Sequence, residues 1–337
     1  MTLPPLPDRP LDICIYGAGA IGGVIGALLS RAQGSGDIGR VTLIARGDHC
    51  AALQTGLRLR SPDGTIDTIA ATVTDDPASL PPQDVVITAL KGHQIPPLAD
   101  TLAALLAPHG RILPVVNGVP WWYPLPDGQG GTKGADEVDP GGALWTKIGP
   151  DRAIGAIAYL GASVPEPGLI SYDIEGYLDL GRLPGQDRTD VARIAALLES
   201  AGWLIRQTEP FQNALWTKMM SNCSLNAVSA ITRSPNGTNL QAKPLYDFTG
   251  AIMEEVRAIA AAEGAEIAMT TEKRLSLAMR NGGFKTSTLQ DLEKGRPMEI
   301  EPIFAAAASV SHARGVPCPM LDLAVEILRH VERSRDL

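Results

Sequence analysis

At 337 residues, 45% hydrophobic and 20% charged, the chain is long enough for two globular domains, each with its own core. A formal net charge of −8 without any Lys/Arg cluster argues against a general nucleic-acid binder and leaves small anionic ligands to local basic sites. No stretch is apolar for long enough to span a membrane, and Met1–Pro10 lacks the apolar run of a signal peptide, so no membrane partner is expected. Cys14, Cys50, Cys223 and Cys318 form no C-x-x-C pair, which predicts reduced thiols in a cytoplasmic protein. His49, His93, His109, His312 and His330 fall singly, outside any metal-ligand spacing, so no metal is predicted.

Leu11–Tyr16 (LDICIY) reads as a β-strand and runs directly into Gly17-Ala18-Gly19-Ala20-Ile21-Gly22, with an apolar helix predicted from Ala20 to about Arg31. Strand, G-x-G-x-x-G and helix in that order predict dinucleotide binding. Gly17 permits the tight turn, Gly19 lets the backbone approach a pyrophosphate, and Gly22 lets helix pack closely on strand, while the helix N-terminus faces the anion. The alternative is a glycine-rich turn with no ligand. After a loop at Gln33–Arg40, Val41–Ala45 is the second strand. At its end stands Arg46, where an NAD enzyme usually presents an acid to the ribose hydroxyls. A guanidinium there suits the 2′-phosphate of NADP(H) through charge-assisted hydrogen bonds; otherwise it points to water.

Leu57–Arg60 and Thr65–Val73 are predicted strands around the turn Pro62-Asp63-Gly64. Asp84–Leu90 is a buried-type strand followed by Lys91, which either reaches a phosphate or substrate anion at the strand's carboxyl end or is a solvated loop lysine. Arg111–Val116 ends in Asn117-Gly118, an ordinary turn pair whose amide could also bond the nicotinamide side or the substrate. Val119–Pro150 is irregular and carries Trp121-Trp122-Tyr123; it is either a lid or interface, or a loop pinned by burying its tryptophans. Strands resume at Ala153–Ala162, Gly168–Asp173 and Gly176–Leu180, followed by a helix at Thr189–Ser200 and a strand at Trp203–Gln207.

From Glu209-Pro210 the pattern is helical: a first helix through Leu215–Asn226, then Pro244–Glu263, Thr270–Asn281, Glu301–Arg314 and Met320–Glu332. The chain therefore reads as an α/β domain over 1–207, with 119–150 inserted in it, and an all-α domain over 208–337. Lys218, Asn222 and Asn226 recur every four residues and form one polar stripe among Trp216, Met219, Met220, Cys223, Leu225 and Val228. Either this is a polar seam satisfied by water, or the lysine donates a proton while the amides hold a polar substrate. Ser287 offers a hydroxyl to a carboxylate or caps a turn. Glu299 holds or reprotonates a lysine, or favours the dipole of the helix after it.

In this order the pieces resemble the ketopantoate reductase (2-dehydropantoate 2-reductase) family over nearly the whole chain. The resemblance rests on Gly17–Gly22, Lys91, Asn117-Gly118, Trp216-x-Lys218-x-x-x-Asn222-x-x-x-Asn226, Ser287 with Gln290-Asp291, and Met298-Glu299-Ile300-Glu301. It implies a Rossmann-type N-terminal domain and an all-α C-terminal domain like that of 6-phosphogluconate dehydrogenase. It also implies reduction of a 2-oxo acid by NADPH to a 2-hydroxy acid, on the route to pantothenate and coenzyme A. By the family pattern Lys218 is the general acid, Asn222 and Asn226 bind substrate, Ser287 binds its carboxylate, and Glu299 assists binding and orients the lysine. Gly17, Ala18, Gly19, Ala20, Ile21, Gly22, Arg46, Lys91, Asn117 and Glu299 would serve the cofactor side, with Lys91 and Asn117 at its junction with substrate.

Val119–Pro150 departs from the compact segment of shorter family members, so a bulkier or more apolar 2-oxo acid is the alternative substrate. A non-catalytic NADP(H) sensor would not need Lys218, Asn222, Asn226, Ser287 and Glu299 together. An opine or polyol-phosphate dehydrogenase would share the glycine turn but not the Ser287–Glu299 segment. Helical second domains often supply dimer surfaces, which leaves a homodimer open.

Overall fold

The computed structural model describes residues 3–173, 176–280 and 282–334. Two compact units emerge: Met1–Val116 with Ala143–Phe211, and Asn117–Gly142 with Gln212–Leu337.

The first unit is α/β. Its first seven strands are β1 (Leu11–Tyr16), β2 (Ile38–Ile44), β3 (Leu57–Arg60), β4 (Ile66–Ile69), β5 (Thr72–Thr74), β6 (Gln83–Thr88) and β7 (Leu106–Pro114). Five more follow at Gly155–Tyr159, Ala162–Glu166, Leu169–Tyr172, Tyr177–Gly181 and Leu204–Arg206. Helices α1 (Ala20–Arg31), α2 (Gly47–Thr55), α3 (Ala99–Leu105), α4 (Ala143–Lys147) and α5 (Thr189–Ser200) accompany them. The central sheet runs β5-β2-β1-β6-β7 with every pair parallel. Strand order reverses at β1, so a crevice is expected at the carboxyl ends of β1 and its neighbours. Sequence explains the sheet: β6 is buried at every position, as parallel strands covered on both faces must be.

One predicted strand divides. Thr65–Val73 becomes β4, antiparallel to β3 in a second sheet, and β5, parallel to β2 in the central one. Ala70 and Ala71 lie in neither strand, and there the chain passes from one sheet to the other. Farther on, Asp190 of α5 is buried and accepts from Arg182 Nη2 at 2.6 Å and from Arg111 of β7, so the charge that α5 buries is paired twice.

The second unit is helical: α6 (Phe211–Ser221), α7 (Ala227–Thr232), α8 (Asn236–Asn239), α9 (Lys243–Ala262), α10 (Thr271–Arg280), α11 (Ser287–Glu293), α12 (Ala306–Ala313) and α13 (Pro319–Arg333). The predicted end of α10 at Asn281 lies outside the described residues. Two π-helical segments interrupt the pattern, Asn222–Asn226 between α6 and α7 and Glu301–Ala305 before α12. No helix among the described residues is long and apolar enough to cross a membrane.

Residues 117–142, expected in the N-terminal domain, group with this helical unit, and the boundary expected at 207/208 falls at 211/212. Aromatic burial gives the reason. Trp121, Trp122 and Tyr123 are each no more than 2% exposed, and the Tyr123 ring meets Trp216 of α6 edge-on at 6.0 Å. Tyr123 Oη donates to Glu263 at 2.6 Å and accepts from Trp216 Nε1 at 3.1 Å, while Arg314 pairs with Glu263. Of the two readings of the aromatic run, the structure supports the pinned loop.

Candidate active site

Around the glycine turn the first unit builds a cleft of about 590 Å³, lined by Gly17, Ala18, Gly19, Arg46, His49 and Asp75 among others. Gly17 adopts φ +102°, and a Cβ there would lie 2.6 Å from the Leu90 side chain. A Cβ on Gly22 would come within 2.1 Å of the Gly17 carbonyl oxygen, so both positions demand glycine. Beside Gly19, by contrast, a Cβ would meet nothing within 4 Å, which leaves the backbone open to a ligand. Gly19 is the N-cap of α1 and no side chain caps that end, so its first-turn N–H groups and dipole suit a pyrophosphate. Ala20, Ile21 and Gly22 form that first turn and do not line the cleft themselves.

Arg46 follows β2, serves as N-cap of α2 and is exposed toward this cleft. Burial pushes the Tyr16 phenol up from its ordinary pKa, and the Arg46 charge acts against that rise, which places the guanidinium's field at the end of β1. His49 belongs to no sequence motif, yet it lines the same cleft. Gly168 N–H donates to its Nδ1 at 3.1 Å, so the ring proton sits on Nε2 and goes to the Ala18 carbonyl at 2.8 Å. His49 thus ties α2 to the glycine turn. Lys91 begins the bend after β6, its N–H bonded to Gln94 Oε1 at 3.2 Å; Leu90 and Gln94 line the cleft and Lys91 does not.

In the helical unit Lys218 lies near the end of α6. Burial draws its ammonium down to a pKa of about 8, and the carboxylate of Glu299 pulls the other way. Glu299 is 8% exposed and sits just ahead of the π segment Glu301–Ala305. Asn117-Gly118 reaches the same segment: Val119 N–H donates to Pro302 O at 2.8 Å, and a Cβ on Gly118 would lie 2.1 Å from that oxygen. The two π segments also touch, Cys223 Sγ donating to Ile303 O at 3.3 Å.

The stripe predicted at four-residue spacing therefore does not continue as plain α-helix. A π turn at Asn222–Asn226 widens it, a distortion that often marks functional sites. Asn222 and Asn226 nevertheless line one cavity of about 210 Å³, together with Asn236, Arg274, Phe284 and Thr286. Arg274 Nε donates to Ser221 Oγ at 2.6 Å, which fixes the guanidinium beside the two amides. Ser287 is exposed as the first residue of α11, and its neighbour Thr286, the cap of that helix, is the one that lines the cavity. Arg274 and Asn236 escaped the sequence reading because neither belongs to a motif; Arg274 is one charge on the polar face of an amphipathic helix.

The description "Ketopantoate reductase PanE/ApbA" matches residues 13–185, and "Ketopantoate reductase PanE/ApbA C terminal" matches residues 210–332. The chain belongs to the ketopantoate reductase family. A 2-dehydropantoate 2-reductase of Mesorhizobium japonicum is 35% identical, the alignment covering 96% of this chain and 99% of the relative. Among solved structures, a proposed ketopantoate reductase of Ralstonia solanacearum superposes with a TM-score of 0.86 at 32% identity, covering 97% of this chain and 99% of that one. The 2-dehydropantoate 2-reductase of Geobacter metallireducens gives 0.79 at 27% identity over 94% and 99%. The Rossmann-like unit and the helical unit are thus those of this family, whose members are oxidoreductases acting on CH–OH groups with a nicotinamide cofactor.

Proposed function

We propose that the chain reduces 2-dehydropantoate to pantoate with NADPH, and that Lys218 protonates the keto oxygen. The observation that carries this reading is Lys218 itself: a lysine drawn to a pKa of about 8, beside a buried glutamate, on the helix that leads into Asn222 and Asn226, which line a cavity.

When bound, the nicotinamide supplies the hydride. The chain's part is to hold the 2-oxo acid and deliver a proton as negative charge develops on oxygen. Lys218 breaks an N–H bond, the substrate oxygen gains the proton, and the neutral amine is recharged from solvent. An acid poised near working pH transfers most readily, and burial brings Lys218 there from its ordinary value of 10.5. Glu299 keeps enough of the lysine charged at neutral pH for it to act as an acid. Asn222 and Asn226 hold the polar end of the substrate, and Arg274 supplies the positive charge its carboxylate requires. Phe284, 64% exposed at the same cavity, offers apolar surface to a branched side chain.

On the cofactor side, Gly17–Gly22 and the N-terminus of α1 receive the pyrophosphate and Arg46 the 2′-phosphate, which favours NADPH over NADH. The test is NADPH oxidation with 2-dehydropantoate and with 2-oxo acids of increasing size. 2-Dehydropantoate is expected to give the highest kcat/KM; turnover confined to larger acids would overturn the substrate. Lys218→Ala should lower kcat by about 10²–10⁴-fold while NADPH binding, followed by fluorescence, persists. Equal loss of both would make Lys218 structural.

A further inference from the structure

A second cluster of chemically able side chains lies in the α12–α13 hairpin, among residues that the proposed reduction does not use. His312 is in the last turn of α12, Cys318 is the N-cap of α13 and Asp322 lies in the first turn of α13. His312 Nε2 is 3.2 Å from Asp322 Oδ2 and 3.7 Å from Cys318 Sγ, and one donor atom from each of the three residues falls within 4.8 Å of the other two. Bonds of about 2.0–2.3 Å from a tetrahedral Zn²⁺ to N, O and S place neighbouring donors roughly 3.3–3.7 Å apart, close to the spacings seen.

We propose that His312, Cys318 and Asp322 form a binding site for a divalent cation of borderline softness, Zn²⁺ being the ion that its N, S, O donor set fits. Thiol and imidazole disfavour Mg²⁺ and Ca²⁺, which take oxygen ligands. The scaffold is held in place without an ion. Ser311 Oγ donates to Val316 O at 2.7 Å, and Glu255 of α9 accepts from the N–H groups of Met320 and Leu321 at 2.9 and 2.8 Å. Since Glu255 already satisfies the start of α13, Asp322 is left to face His312. Cys318 is 2% exposed, whereas the His312 and Asp322 side chains are 59% and 44% exposed, so an ion would sit on a buried sulfur with its fourth position open to water. Binding exchanges the thiol proton for the metal, and the proton leaves to solvent. Sequence spacing conceals the group because its donors come from two helices that only the Arg314–Pro317 turn brings together.

The test is competition between the intact, EDTA-treated chain and a chromophoric chelator for Zn²⁺, with Mg²⁺ as control. We expect one Zn²⁺ per chain, a melting temperature raised by Zn²⁺ and not by Mg²⁺, and affinity at least tenfold weaker in each of His312→Ala, Asp322→Asn and Cys318→Ser. His312→Ala removes an exposed side chain and keeps the test decisive if the Cys318 variant does not fold. No competition for Zn²⁺, or binding unchanged in His312→Ala, would overturn the site.

Discussion

The turn at Gly17–Gly22 and the helix at Lys218–Asn226 solve opposite problems. The first makes room by omitting side chains: Gly17 and Gly22 leave no space for a Cβ, while Gly19 leaves its backbone open. The second carries a lysine and two amides among Trp216, Met219, Met220 and Cys223, which are at most 1% exposed, and depends on what surrounds each polar atom. A site made of backbone is tolerant of its neighbours and intolerant of substitution at its own positions. A site made of side chains is tuned by its neighbours, as Glu299 tunes Lys218.

The largest expected effect on cofactor binding strikes the backbone site. Gly22→Val sets side-chain atoms against the Gly17 carbonyl, where a Cβ would already be 2.1 Å away, and the turn must deform. NADPH affinity, read by fluorescence titration, should fall by about 100-fold or more, equivalent to roughly 3 kcal/mol. Retained affinity would mean that the turn is not what holds the cofactor.

This contrast also explains what the sequence made legible. Backbone rules are local, so β1, α1 and α5 end where their residue patterns end, and the glycine spacing names its own turn. The polar cavity is assembled from α6, the π segment, α8, α10 and two residues ahead of α11. Only the lysine–asparagine helix announced itself through spacing. Neither π segment could be read, because the identities in Asn222–Asn226 and Glu301–Ala305 suit an α-helix equally well and contacts such as Cys223–Ile303 are long-range. The aromatic run illustrates the same limit. Its composition left lid and pinned loop open, and the partners that decide, Trp216, Glu263 and Arg314, lie far along the chain. His49 escaped for a related reason: its bonds to Ala18 and Gly168 come from segments that only folding brings near.

A middle-sized effect belongs to Arg46, a side chain at the rim of the backbone site. If Arg46 holds the 2′-phosphate as proposed, Arg46→Ala removes charge-assisted bonds worth about 1.5–3 kcal/mol, so NADPH should bind roughly 10–150-fold more weakly, with NADH little changed. Equal weakening of the two cofactors would assign Arg46 to the shared adenosine or pyrophosphate and not to the 2′-phosphate.

The smallest effect is the most specific to a side-chain site. On the proposed mechanism reduction requires the ammonium form of Lys218, so kcat/KM should fall as pH rises through about 8. Glu299 raises that pKa by stabilising the charged form, whereas burial lowers it. Glu299→Gln removes the raising influence and leaves burial in place, so the alkaline limb should move to lower pH. At pH 8 a smaller fraction of enzyme would then carry the proton, and kcat/KM should drop by about two- to tenfold. At pH 6 both forms of the enzyme keep Lys218 charged, and the difference should shrink. Should the limb stay in place while activity falls equally at every pH, Glu299 would act on substrate or cofactor binding alone. Burial alone would then set the acidity of the lysine, with no opposing pull from its neighbour.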